Sequence, residues 1–300
     1  MNQSSVYTLD TPFRDPIDLM RFRFGSSEGV RISIIAGLHG NEVGGVCAAN
    51  QLIRWLQQQE VSGCVDIFPV VNPVGLDQTS KVNPLDHRDI NRCFPGDTEG
   101  TASERIAAAL FESTRDSDWV ISVHTGAAHI KDITQVRCLP EHLNIASQIG
   151  APLVWVQQKL DGEVSLAGQC QARGQSFLYC TGGSGNSVDT IQVNELHKVL
   201  QQLLHRLGCV SSVPFSEPTE TVVLHGPLTE IRTHVGGFLL PLRSVGDILR
   251  KGEPIATIQG VLGGKLEQTI EAPYDGKIAS MRVNPIVHAQ ELVAKILPII

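Results

Sequence analysis

The feature that most restricts the fold is an alternation of short apolar runs with helix-like stretches over the first part of the chain. "VRISIIAGL" (30–38) is followed by "EVGGVCAANQLIRWLQQQ" (42–59), "CVDIFPVVNP" (64–73), "SERIAAALFESTRD" (103–116) and "WVISVHTG" (119–126). β-prone runs separated by helix-length segments predict an α/β sheet with helices on its faces. In such a sheet ligands gather at strand ends, so chemistry is to be sought there. After another helix-like stretch, "VNELHKVLQQLLHRLG" (193–208), the texture changes. The Pro-containing connector "SSVPFSEPTE" (211–220) leads into "IRTHVGGFLLPL", "GDILRKGEPIATIQG", "QTIEAPYDGKIASMRV" and "ELVAKILPII". These short alternating segments, punctuated by Gly, Pro and Asp, form an all-β pattern. Two domains are expected, an α/β domain over 1–212 and a smaller β domain over 213–300.

Composition narrows the partners. A net charge of −7, without clustered Lys and Arg, argues against nucleic acid, whose phosphates demand such clusters. No apolar run approaches the roughly 18 residues of a membrane span. The N-terminal "MNQSSVYTLDTPFRDP" lacks the basic and apolar regions of an export signal, so a cytoplasmic protein acting on small molecules is expected. Seven cysteines, at 47, 64, 93, 138, 170, 180 and 209, are odd in number and contain no CxxC pair. They suit reduced thiols better than disulfides or a cysteine metal site. Assembly into a homo-oligomer stays open.

The corner "AGLHGNEVGG" (36–45) opens straight from an apolar run and sets His39 and Glu42 three positions apart. A catalytic zinc site takes three protein ligands from His and carboxylate and leaves the fourth position to water. The third ligand should come from another strand end, and His124 in "WVISVHTG" supplies it. The stretch "NPLDHRDINRCFPG" (83–96) adds Asn91 and Arg92, an amide beside a guanidinium, which together can grip a carboxylate. Asp89, two residues earlier, is placed to accept a proton from the far nitrogen of a ligating histidine.

HxxE after a strand, DxNRxFPG, and a later strand ending in His-Thr-Gly together resemble the succinylglutamate desuccinylase and aspartoacylase family of zinc carboxypeptidase-like hydrolases. The C-terminal "GGFLLPLRSVGDILRKGEPIATI" and "IEAPYDGKIASMRVNPIVHAQELVAKI" resemble the barrel-sandwich-like β domain of its bacterial members. The resemblance implies a mixed sheet flanked by helices and one zinc ion on His39, Glu42 and His124. It also implies that Asp89 orients a ligating histidine and that Asn91 and Arg92 bind a substrate carboxylate. Family members hydrolyse the amide of an N-acyl amino acid: zinc polarises the carbonyl and activates water, while a glutamate serves as base and then as acid.

The chain departs from that pattern twice. The family's glutamate precedes a Gly-Gly; in "QSFLYCTGGSG" (175–185) the position falls on Cys180 or Thr181, depending on the alignment. The family's arginine ahead of "NPLD", which stabilises the oxyanion, is replaced by Lys81, which keeps the charge but loses the planar fork. Loss of a general base costs on the order of 100- to 10,000-fold in rate. Three readings remain: a base recruited from elsewhere, with Glu163 or Glu271 as candidates; Cys180 acting as base or extra ligand; or a catalytically silenced zinc-containing binding protein.

Overall fold

Within the run at 30–38, Arg31–Ala36 becomes a strand buried on both faces from Ile32 onward, as its largely apolar character requires. In the computed structural model, which describes residues 1–12, 15–26, 28–214 and 220–299, this strand lies in one long mixed sheet. The strands up to residue 184 are β1 (Asn2–Leu9), β2 (Ile17–Gly25), β3 (Arg31–Ala36), β4 (Cys64–Phe68), β5 (Trp119–Gly126), β6 (Ile130–Cys138), β7 (Leu153–Val156) and β8 (Ser176–Ser184). They are interleaved with helices α1 (Val43–Leu56), α2 (Pro73–Asp77), α3 (Ala102–Ser113), α4 (Leu143–Ala146) and α5 (Leu166–Ala172), and α6 (Thr190–Arg206) follows β8. The order β1-β2-β4-β3-β5-β8-β6 runs across this part of the sheet, with β3, β4, β5 and β8 parallel.

Successive residues of the central strands feed two different cores. Ile34, Val123 and Cys180 pack into the layer of α1 and α6, with Leu52, Leu196 and Leu200. Ile35, Val120 and Tyr179 face the other layer, with Leu110 of α3 and Cys170 of α5. Each large apolar side chain removed from water in this way contributes about 1.5–3 kcal/mol. This fixes which residues of β5 and β8 face which layer.

Beyond residue 220 come β9 (Val222–His225), β10 (Thr229–Arg232), β11 (Gly237–Pro241), β12 (Ile248–Leu249), β13 (Pro254–Gln259), β14 (Leu266–Glu271), β15 (Gly276–Arg282), β16 (Ile286–Val287) and β17 (Leu292–Pro298). Four of them form a separate antiparallel sheet in the order β14-β13-β11-β16, over a core that includes Leu239, Ile255, Ile258 and Ile270. The others extend the first sheet. β15 pairs with β6, Ser280 lying opposite Asp132, and β9 pairs with β7. Residues 215–219 of the expected connector lie outside the described residues. Among the described residues no helix is long and apolar enough to cross a membrane.

Candidate active site

The histidine-glutamate corner is held by a close approach of backbones. A methyl group on Gly40 would stand 2.0 Å from the carbonyl carbon of Gly75 and 2.2 Å from the nitrogen of Leu76, so the corner rests directly against α2. Glu42 sits at the N-cap of α1, yet its side chain caps no backbone N–H there. Its carboxylate instead lies between two imidazoles, Oε1 2.8 Å from His39 Nδ1 and Oε2 2.7 Å from His124 Nδ1. The far nitrogens are held as well: His39 Nε2 meets Asp89 Oδ1 at 3.0 Å, and His124 Nε2 meets Ser122 Oγ at 2.7 Å. All three side chains are buried.

The electrostatics follow from that packing. Burial alone would lower the His39 pKa, but the charge of Glu42 and the hydrogen bond to Asp89 outweigh it and raise the group to about 9. Burial would raise Glu42, but the two imidazoles draw it down to about 2. A ligand atom from each of His39, Glu42 and His124 lies within 4.8 Å of the other two. Two imidazoles and one carboxylate facing a common point, with the outer nitrogens anchored, match the donor set zinc takes when one position stays open.

The 81–96 loop is built around Asp89. Its Oδ1 also accepts the Asn91 N–H at 2.9 Å, capping a single helical turn at Ile90–Arg92, and Lys81 Nζ lies 3.4 Å from Oδ2. Lys81 thus meets the group through Asp89. Asn91 is spent internally: its side-chain oxygen accepts the Leu166 N–H at 3.1 Å, and its side chain is hydrogen-bonded to Tyr179. Arg92 stays half exposed, with Nη1 3.3 Å from Asp161 Oδ2. Tyr179 donates to that same oxygen at 3.1 Å, and its ring lies 5.4 Å from that of His124. Asp161 and Tyr179, which sequence reading passed over, join the pair at 91–92 to the histidines. Asp161 lies outside every motif, and Tyr179 falls in the 175–185 stretch without being singled out by it, so only their place beside Arg92 and His124 marks them.

Of the two residues left open at the glutamate position, the structure brings Thr181 to the histidines and turns Cys180 away. Thr181 is the neighbour of His124 across β5 and β8, while Cys180 pairs with Val123 and packs in the α1–α6 layer. Burial there pushes the Cys180 thiol up to about 12, the opposite of what a thiolate base or ligand needs. Thr181 Oγ1 is buried without a hydrogen-bond partner among the described residues. Glu163 and Glu271 are both exposed, one in the loop before α5 and the other on β14 of the second sheet.

Residues 28–207 match the succinylglutamate desuccinylase/aspartoacylase catalytic domain family. The chain is 26% identical to the N-alpha-acetyl-L-2,4-diaminobutyric acid deacetylase of Halomonas elongata over 91% of its own length and 83% of the relative's. Its fold is shared with the product-bound ectoine utilization protein EutE (DoeB) of Ruegeria pomeroyi, at a TM-score of 0.83 and 18% identity, covering 99% of this chain and 95% of that one. A succinylglutamate desuccinylase/aspartoacylase structure from Rhodobacter sphaeroides superposes equally well, with a TM-score of 0.83 at 21% identity, over 99% of this chain and 95% of the other.

Proposed function

Because the chain belongs to the succinylglutamate desuccinylase/aspartoacylase family, we propose that it is a zinc-dependent amidohydrolase that removes the acyl group from an N-acyl amino acid or similar small acylated amine. The observation that carries this reading is the convergence of His39, Glu42 and His124, which would hold one zinc ion. When bound, zinc supplies Lewis acidity for the amide carbonyl and lowers the pKa of water. The chain's own groups do the rest. Asp89 orients His39, and the Ser122 hydroxyl orients His124. Arg92 offers its guanidinium to a substrate carboxylate in exchange for Asp161, while Asn91 and Tyr179 hold that arm in place. Lys81 supplies positive charge beside Asp89. We assign this chemistry to residues 1–212 and treat 213–300 as a second domain.

A second reading has a specific observation in its favour: neither Thr181 nor Cys180 can take a proton as the family's glutamate does. In that reading the protein binds an acylated or carboxylate ligand at the zinc site and does not turn it over. The deciding experiment combines metal analysis with hydrolysis of acetyl-, succinyl- and formyl-amino acids, N-α-acetyl-2,4-diaminobutyrate included. Zinc near one per chain with measurable hydrolysis supports the enzyme. Zinc and ligand binding without turnover supports the silenced form, and a chain that retains no zinc refutes both.

A further inference from the structure

Amide hydrolysis needs a group that takes a proton from the attacking water, and one strand beyond Thr181 the sheet presents a carboxylate. On β6, Gln135 lies opposite Thr181 and Asp132 opposite Gly183, so three steps on β6 match two on β8. In a regular strand Asp132 and Gln135 would point to opposite faces; the extra residue of this bulge returns both to the same one. Asp132, Gln135, Arg137, Thr181, Ser280 and Lys295 accordingly line one cavity of about 220 Å³. Thr134, between them, points the other way and bonds to Glu195 of α6. One of the cavity's lining residues, Thr181, is the neighbour of His124 across β5 and β8, which sets the cavity one strand from the histidine cluster. Two of its buried polar atoms, Thr181 Oγ1 and Gln135 Oε1, have no hydrogen-bond partner among the described residues, which leaves both available to a polar occupant.

We propose that Asp132 is the general base of this hydrolase, supplying from β6 the carboxylate that β8 lacks; the inference rests on the amidohydrolase reading above. The charges around Asp132 suit the task. Burial raises its carboxyl to about 6, against the hydrogen bond from Ser280 of β15 and the charges of Lys295 of β17 and Arg137 of β6, with Glu42 at the head of α1 adding to the rise. From α6, Gln192 reaches only the Asp132 carbonyl. A base with its pKa just below neutrality is ionised at working pH and still basic enough to accept a proton.

The Asp132 carboxylate takes one proton from water as the water oxygen bonds to the acyl carbon. As the carbon–nitrogen bond breaks, the resulting carboxylic acid gives that proton to the departing nitrogen. The products are the free acyl acid and the amine, and the carboxylate is regenerated.

The test measures kcat, KM, zinc content and melting temperature for the zinc-loaded wild type, Asp132→Asn, Thr181→Glu and the Asp132→Asn/Thr181→Glu double variant. Asp132→Asn should lower kcat by about 100-fold or more with zinc retained. The double variant should recover at least about tenfold, since a glutamate at 181 stands beside His124. Wild-type kcat/KM should carry an acid limb at about pH 6 that the folded Asp132→Asn variant loses, which separates Asp132 from the ionisation of zinc-bound water. A kcat unchanged in a folded Asp132→Asn overturns the proposal, and so does a flat profile through that pH. A KM increase confined to cationic substrates at constant kcat would also overturn it, making Asp132 a counter-ion for the amine. A wild type inactive on every acyl-amino acid overturns it too. If Thr181→Glu then gains hydrolysis, the zinc site and substrate class stand and the protein is a silenced member; if it gains none, the amidohydrolase reading falls as well.

Discussion

Two substitutions at Asp89 separate the parts of its grip on His39. Oδ1 serves two donors at once, His39 Nε2 at 3.0 Å and the Asn91 N–H at 2.9 Å, while Oδ2 faces Lys81 at 3.4 Å. Asp89→Asn can keep both contacts at Oδ1, and it loses only the charge and sets an amide group toward Lys81. Asp89→Ala removes the acceptor outright and frees the imidazole to rotate. Groups of this kind behind a metal ligand are worth about 10- to 100-fold in metal affinity. The lower figure belongs to the asparagine and the upper to the alanine, about 1.4 and about 2.8 kcal/mol at 1.4 kcal/mol per factor of ten. Zinc affinity is read by titrating the metal-free proteins against a chromophoric chelator. Melting of each metal-free variant is recorded separately, because the alanine also removes the cap of the Ile90–Arg92 turn, at about 0.5–2 kcal/mol. An alanine variant that binds zinc within about twofold of wild type would refute the reasoning. An asparagine variant as weak as the alanine would show that charge, and not the hydrogen bond, controls His39.

Substituting both His39 and His124 by alanine should abolish stoichiometric zinc by metal analysis; a variant that keeps one zinc per chain places the metal elsewhere. Gly40→Ala forces a methyl against the Gly75–Leu76 backbone and should cost about 1–3 kcal/mol, seen as a lowered melting temperature together with weakened zinc binding. Arg92→Lys should raise KM for carboxylate-bearing substrates about tenfold at unchanged zinc content, with no such change for a neutral amide analogue, since an ammonium lacks the bidentate fork. Cys180→Ser should leave kcat within about twofold and lower stability by about 1–3 kcal/mol, because a hydroxyl there faces only the apolar α1–α6 layer. A large loss of kcat in that folded variant would return the thiol to the chemistry.

The histidine cluster could be read from sequence because its residues sit at or near strand ends. His39 with Glu42 and His124 close β3 and β5, and a strand end in an α/β sheet puts its side chains where ligands collect. Asp89 was legible by its spacing from Asn91 and Arg92. The face of a strand residue was not, when the glycines permitted two alignments: Cys180 and Thr181 are adjacent, and only pairing with β5 shows which one meets His124. The strand β6 escaped notice because its bulge breaks the alternation that marks a half-buried strand, and Asp132 escaped with it. The β1–β2 hairpin was missed because few of its side chains are buried, Leu9, Leu19 and Phe24 among them. The β texture after residue 213 was plain. That β15 would pair with β6 was not, since such contacts join segments far apart in sequence and leave no local mark.

The bulge in β6 also bears on how relatives of this protein are compared. A single-residue deletion between Asp132 and Gln135 would restore a regular strand and rotate the carboxylate out of the cavity, with every residue of the histidine cluster intact. Conversely, one inserted residue in a regular strand of a relative could bring a dormant acidic side chain into play. Along this strand, then, gap placement in an alignment carries chemical information that residue identity does not, and two homologues alike at every motif could differ in reactivity through one unit of chain length.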